Sequence, residues 1–390
     1  MLDASDRAEN MTQQDSAVRK DIDFHSMVRT LPTTAKKGLA ICYSESTDLL
    51  PLTCTRGVDN AFKLVGYSIR NAAISQIGVA EWLRFHPEDA QFLPDLWSKI
   101  LEHFDEITYV GDFALALWAG VTSKADNCQL FARALATNWE RQANLCNAVE
   151  LGWIVQACTL AAKEQDNLES HVRPVLDEAR NRLIGLFRPQ QNLFQRHNRS
   201  GIREVLSRHI TCFADQVYAI LALSNYSVLF SEKESAELVA EATEKICQLQ
   251  GPLGQWWWHY DTTEGKVCEE YPVFSVHQDS MAPMAIMASD RLTGQNHYRE
   301  IERGLRWLYG NNELNHELVL DGAGIIWRDI EKREVGKISR ILRALLCVAG
   351  CQFLHSFAGK CFAGFRVNYE CRPYHLGWIL YAWADYHLRS

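Results

Sequence analysis

Two kinds of helical stretch alternate along the chain. The first kind is rich in small and aromatic residues and poor in charge, and it begins near Gly66, Gly111, Val149, Thr211, Ser275 and Arg372. A helix that is apolar nearly all round has to be buried on most sides. The second kind carries one apolar stripe and one charged face, and it begins near Asp89, Ala125, Leu168, Ser231 and His297; a comparable stretch from Lys337 precedes the last inner helix. Such helices lie with one side on a core and the other in water. Inner and outer helices recurring at roughly 40- to 60-residue intervals predict stacked helical hairpins. Connections range from very short to the long excursion over 250–271, which favours a closed ring over an open solenoid of constant period. The expected fold is therefore all-α, an (α/α)6 toroid with a few short strands and long loops at its mouth. It occupies residues 23–390 as one domain behind a mobile polar tail over 1–22. The segments 187–207 and 313–335, punctuated by Gly, Asn and Asp, read as loops or small strands.

One stretch departs from this pattern. Residues 250–285 hold three consecutive tryptophans, two histidines and several carboxylates. Gly251, Pro252 and Gly254 argue against a helix before Trp256, so 256–261 reads as extended. A period of two then puts Trp256, Trp258 and Tyr260 on one face and Trp257, His259 and Asp261 on the other. Trp257 is the expected stacking platform. Pro283 is tolerated only in a first turn, so the following helix should start near Asp279 or Ser280, leaving His277, Gln278 and Asp279 at its mouth.

Composition narrows the function. The chain is 47% hydrophobic and 23% charged, ordinary for a globular protein, and its formal charge of −8 argues against binding a phosphate backbone. The twelve cysteines are scattered without a CxxC pair and read as reduced packing residues, so thiolate zinc is not expected. No apolar run reaches membrane-spanning length, which predicts a cytoplasmic protein without a membrane span. No cofactor or metal is called for, no nucleic acid is expected, and the oligomeric state stays open.

Polar groups recur near the starts of the inner helices: Arg70, Asp112, Glu150, Asp215 and Gln216, His277 to Asp279, and Tyr374, His375 and Trp378. If the inner helices run in one direction, these groups converge on one mouth. Each carboxylate alone is an ordinary cap, but recurrence at one structural position points to a shared site.

Gln250, Gly254 and Trp256 form QxxxGxW, which resembles the QW element of terpenoid cyclases and prenyltransferase toroids, with Leu253 where an acidic residue is usual. The DxDD acid motif of the class II cyclases is missing, and His277–Ser280 (HQDS) keeps one Asp. Gly254, Trp256, Trp257, Asp261 and the helix SVHQDSMAPMA resemble the layout of six-hairpin carbohydrate-active enzymes, including unsaturated glycuronyl hydrolases. The second resemblance implies an enzyme acting on a sugar or glycan fragment by acid–base chemistry, as hydrolase, lyase or epimerase. Asp279 and Asp215 are then the candidate acid and base, with His277 as an alternative. Trp257, His259, Asp261, Gln278, Gln216, Asp112, Glu150, Arg70, Tyr374, His375 and Trp378 are the candidate binding residues, and the partner is a small molecule or oligosaccharide. Isoprenoid cyclisation in an aromatic cavity is the alternative, and noncatalytic binding the third reading.

Overall fold

The computed structural model describes residues 22–43, 49–56, 62–91, 93–201, 204, 207–334 and 362–386. Twelve helices dominate these residues: α1 Phe24–Cys42, α2 Ile69–Phe85, α3 Trp97–Glu102, α4 Val110–Thr122, α5 Cys128–Gln142 and α6 Ala148–Glu164, followed by α7 Asp166–Ile184, α8 Phe213–Phe230, α9 Lys233–Gln248, α10 Ala282–Thr293, α11 Tyr298–Leu308 and α12 Pro373–Trp383. The even-numbered helices are the all-round apolar ones, and local chemistry fixes several of their starts. Ser68 accepts from the Asn71 backbone ahead of α2, and Asn147 with Glu150 forms a capping box at α6.

The even-numbered helices pack in chain order from α2 to α10, and α12 packs on α2, which closes the ring. Closure depends on two small residues. A Cβ placed on Gly78 of α2 would lie 1.9 Å from the Gly377 carbonyl oxygen of α12, so the two backbones cross where neither has a side chain. The odd-numbered helices form the outer layer. Helix α1 joins it between α11 and α12, so a segment from the start of the chain supplies the outer partner of the last inner helix. The amphipathic stretch from Lys337 and the expected tail over 1–22, Ile22 excepted, lie outside the described residues.

Short strands run into several inner helices. β1 Thr53–Arg56 and β2 Phe62–Val65 precede α2; β3 Phe187–Arg188, β4 Leu193–Phe194 and β5 Ile210–Cys212 precede α8; β6 His259–Asp261, β7 Lys266–Glu269 and β8 Val273–Phe274 precede α10; and β9 Val319–Leu320, β10 Ile325–Ile326, β11 Asp329–Glu334, β12 Phe362–Asn368 and β13 Glu370–Cys371 precede α12. Their antiparallel sheets, β13–β1–β2, β12–β11–β8 and β5–β6–β7 among them, gather at the N-terminal end of the inner helices.

The approach to α10 differs from expectation. Helical backbone begins at Ser275 and passes through a π-turn over His277–Met281 before α10 proper, so neither Asp279 nor Ser280 is a cap. Pro283 has no N–H to offer the carbonyl four residues earlier, that of Asp279. That carbonyl instead accepts from Trp383 Nε1 at 2.6 Å. A π-turn with an outside donor satisfies the freed group. Among the described residues the cysteines form no disulfide, and no helix is long and apolar enough to cross a membrane.

Candidate active site

The first turns of all six inner helices line one cavity of about 590 Å³. Arg70 comes from α2, Asp112 from α4, Trp153 from α6, Tyr218 from α8, His277 and Met281 from the π-turn, and Tyr374 from α12. Leu52, Phe274, Arg328 and Arg372 enter from the strands and their flanks. A larger hollow of about 920 Å³ lies between the start of α6 and the end of α7. Only one inner helix reaches it, and its arginines are already engaged, Arg182 with Glu178 and Asn144 and Arg199 with Asn147. The cavity at the ring's mouth is therefore the better place to look for chemistry.

Its charges come in two groups. Arg70 Nε donates to Asp112 Oδ1 at 2.6 Å, with its guanidinium 5.5 Å from the Trp153 ring centre. On another wall Arg372 Nε and Arg328 Nη1 donate to the two oxygens of Glu370, at 2.6 and 2.9 Å. Burial works against ionisation of Glu370, but the two guanidinium groups hold its carboxyl below the usual range. Arg328 also extends over the Phe274 ring at 5.4 Å. Three arginines thus face Asp112 and Glu370, with Glu150 acting on Arg70 from the start of α6 and Asp329 Oδ2 lying 3.6 Å from Arg328 Nε. Beside Arg328, burial pushes the Asp329 carboxyl up to about 7.

His277 is the titratable group of the apolar side. Its ring packs 4.8 Å from that of Phe213 and 5.2 Å from that of Phe274. Burial lowers its pKa to about 3, so the imidazole is neutral at pH 7. Its Nδ1 is buried without a hydrogen-bond partner.

The predicted residues separate into those at the cavity and those elsewhere. Arg70, Asp112, His277 and Tyr374 line it. Glu150 forms the cap of α6, its Oε2 accepting from the Asn147 backbone, and its charge reaches Arg70. Asp215 does not line the cavity; it caps α8, its Oδ2 accepting from the Cys212 backbone and the Thr211 hydroxyl while Oδ1 is buried unpartnered. Gln216 clamps the Phe194 backbone through both ends of its amide. Gln278 does the same for Trp256. Asp279 is fully buried, with His375 Nε2 at 2.8 Å from both of its oxygens. Trp378 packs in the core against Trp118 and Tyr218. Asp261 orders a tight turn by accepting from Thr263. His259 pairs with Glu269.

Trp257 is buried beside Tyr271, at variance with a stacking role, while Trp258 is partly exposed. Regular strand begins only at His259, so the alternation expected over 256–261 holds only from there, where Tyr260 is buried between two partly exposed neighbours. Gln250, Gly254 and Trp256 serve the scaffold. The Gln250 amide donates to the Gly254 and Glu300 carbonyls, and Gly254, at φ +98°, lies where a Cβ would strike the Arg303 carbonyl.

Arg328 and Arg372 were not among the expected site residues. Arg372 stands directly before the proline that opens α12, and the rule that found the other mouth residues applies to it. Arg328 lies on no helix; the antiparallel pairing of β11 with β8 carries it to the mouth. Among the described residues no group of three or more His, Cys, Asp or Glu is placed to hold a metal ion.

No family model and no curated protein matches the sequence. Solved structures do match along nearly the whole chain. An unsaturated glucuronyl hydrolase specific for heparin is 10% identical, with a TM-score of 0.59 over 93% of this chain and 98% of that one. A sugar epimerase from a ruminal bacterium is 10% identical, with a TM-score of 0.61 over 93% and 98%. The chain has the six-hairpin α/α-toroid fold. A mutant unsaturated glucuronyl hydrolase from Streptococcus agalactiae, complexed with dGlcA-GalNAc6S, is 11% identical, with a TM-score of 0.55 over 97% and 94%. A terpenoid cyclase likeness is not shown.

Proposed function

We propose that the chain is a carbohydrate-active enzyme that takes the acidic end of a sugar or oligosaccharide into the mouth of the toroid and moves a proton on it. The observation that carries this reading is the wall on which Arg328 and Arg372 share Glu370, facing a cavity that is also lined by the Arg70–Asp112 pair and by His277. Two guanidinium groups converge on this wall beside that of Arg70, and guanidinium forks suit a carboxylate. The sugar-acting toroids of the same fold, one of them bound to a glucuronyl disaccharide, support the choice of substrate class.

Asp112 is the group we assign to proton transfer. It is the carboxylate that lines the cavity, and Arg70 both orients it and balances its charge. His277, neutral and desolvated, accepts a hydrogen bond from a substrate hydroxyl or takes up a proton as the complex forms. Direct displacement between two flanking carboxylates asks for a pair, and among the described lining residues Asp112 is the one acid. Proton addition to, or removal from, a carbon of an acidic sugar fits the constellation better. Hydration of an unsaturated glucuronide and epimerisation are both of that kind.

The test uses wild-type protein in deuterium oxide with an unsaturated glucuronyl disaccharide and with free glucuronic acid. Loss of the disaccharide's conjugated ultraviolet absorbance, or carbon-bound deuterium in recovered sugar, is the expected result, and Asp112→Asn should slow it by about 10²- to 10⁴-fold. Thermal stabilisation by prenyl diphosphates but by neither sugar would sink the proposal.

A further inference from the structure

Of the three adjacent tryptophans, Trp256 and Trp257 belong to the hydrophobic core, and Trp258 does not. A partly exposed indole outside the core, in contact with a residue that lines the cavity, calls for another explanation. Its ring contacts are on one side His259, stacked at 4.2 Å and 23°, and at its edge Phe274, at 5.9 Å and 77°. Phe274 lines the cavity and touches His277 at 5.2 Å. The rings of His277, Phe274, Trp258 and His259 thus form one continuous track from the cavity wall outward. At its outer end His259 Nδ1 lies 2.9 Å from Glu269 Oε2, with the His259 side chain 16% and that of Glu269 31% exposed.

The backbone explains how the track is held. His259 on β6 faces Glu269 on β7 directly, and the register between these strands shifts immediately after His259. An irregularity of this kind re-aims side chains and recurs beside active sites. The segment is anchored on both sides of the tryptophan: the Phe213 backbone donates to the Trp258 carbonyl at 3.0 Å, and the Trp258 backbone donates to the Glu270 carbonyl at 3.4 Å. Trp258 is therefore held in place through its main chain while its ring stays out of the core.

We infer that Trp258, His259 and Glu269 form a second saccharide subsite, which takes the sugar unit next to the one held in the cavity. The inference rests on the function proposed above and extends it to substrate length: the substrate is at least a disaccharide. An indole offers a flat apolar surface for the C–H face of a pyranose, and a carboxylate and an imidazole at its border match the ring hydroxyls. A purely structural role for the Trp258–His259 stack, ordering the β6–β7 hairpin, predicts no dependence on substrate length.

Binding of glucuronic acid and of an unsaturated glucuronyl disaccharide is compared by calorimetry for wild type, Trp258→Ala, Trp258→Phe and Glu269→Gln. Trp258→Ala should weaken the disaccharide about tenfold or more and leave the monosaccharide unchanged, with Trp258→Phe recovering much of the loss and Glu269→Gln falling between. Such a loss corresponds to about 1.4 kcal/mol or more. Equal weakening of both sugars, or of neither, would overturn the subsite while leaving the functional reading in place. If wild type binds neither sugar, the functional reading fails first and the subsite falls with it.

Discussion

Both carboxylate oxygens of Asp279 lie 2.8 Å from Nε2 of His375, and the pair is sealed inside the ring at the seam between the π-turn and α12. The Asp279 backbone is tied to the same helix through Trp383. Burial raises the Asp279 carboxyl, opposed by the charge and hydrogen bond of His375. Breaking such a pair leaves one polar partner unsatisfied in the core. Asp279→Asn should therefore cost about 3 kcal/mol or more, as measured by urea unfolding. A variant that unfolds like wild type and has merely lost turnover would return Asp279 to the catalytic list.

Asp112 makes the opposite prediction. Its ion pair with Arg70 is partly exposed, with 42% of the Arg70 and 23% of the Asp112 side chain accessible. Removing one charge from such a pair changes stability by about 1 kcal/mol or less. Turnover of the acidic sugar should nevertheless fall by about 10²- to 10⁴-fold in Asp112→Asn, the usual contribution of a positioned acid or base. Unfolding and turnover measured on one preparation separate the two effects, and a large stability loss with modest kinetic change would contradict the assignment.

The contrast between Asp279 and His277 shows what the sequence could and could not convey. Successive residues of a helical turn point in different directions, so His277, Gln278 and Asp279 cannot all face one mouth. Reading them as a group found the right turn, but only His277 lines the cavity. The inner helices themselves were legible because a helix apolar on every side has few other places to go. The convergence of Arg70, Asp112, His277 and Tyr374 followed from running those helices in one direction. Arg328 was not legible, because its position depends on β11 finding β8 across more than fifty residues of chain, and short strands carry little local signal. The failed alternation at Trp257 has a similar origin: a segment held by the Gln278 amide rather than by a ladder does not obey a period of two.

His277 should make the protein sensitive to acid. Its ordinary value of 6.5 is lowered to about 3 by burial, so between these values the unfolded chain binds a proton that the folded chain does not. Stability consequently falls as pH drops from 6.5 toward 3, by an amount of the order of a few kcal/mol at the lower end. His277→Asn has no such proton to bind and should lose less stability than wild type over that range. Asp329, raised to about 7, runs in the other direction, favouring the folded state at low pH and losing that contribution as pH rises through 7. For that reason the comparison is the difference between variant and wild type in urea unfolding at each pH, which cancels Asp329. Parallel pH profiles would show that His277 is not desolvated.

Closure of the ring can be tested where α2 and α12 cross. At Gly78 an added methyl group would meet the carbonyl oxygen of Gly377 at 1.9 Å, and at Gly377 it would meet the Ser75 Cα at 2.5 Å. Neither obstacle is a flexible side chain, so the helices themselves have to separate. Gly78→Ala should cost about 3 kcal/mol or more, although alanine is the better helix former. Gly322→Ala supplies the control, since nothing lies within 4 Å of its added Cβ, and it should stay within about 0.5 kcal/mol of wild type. The separation should also displace Tyr374 from Arg70, because both stand near the starts of the two crossing helices and line the same cavity. Sugar binding should then weaken in Gly78→Ala even at temperatures where the variant is fully folded. A variant as stable as the control would mean that α2 and α12 do not meet in solution, and the toroid would have to be redrawn as an open array.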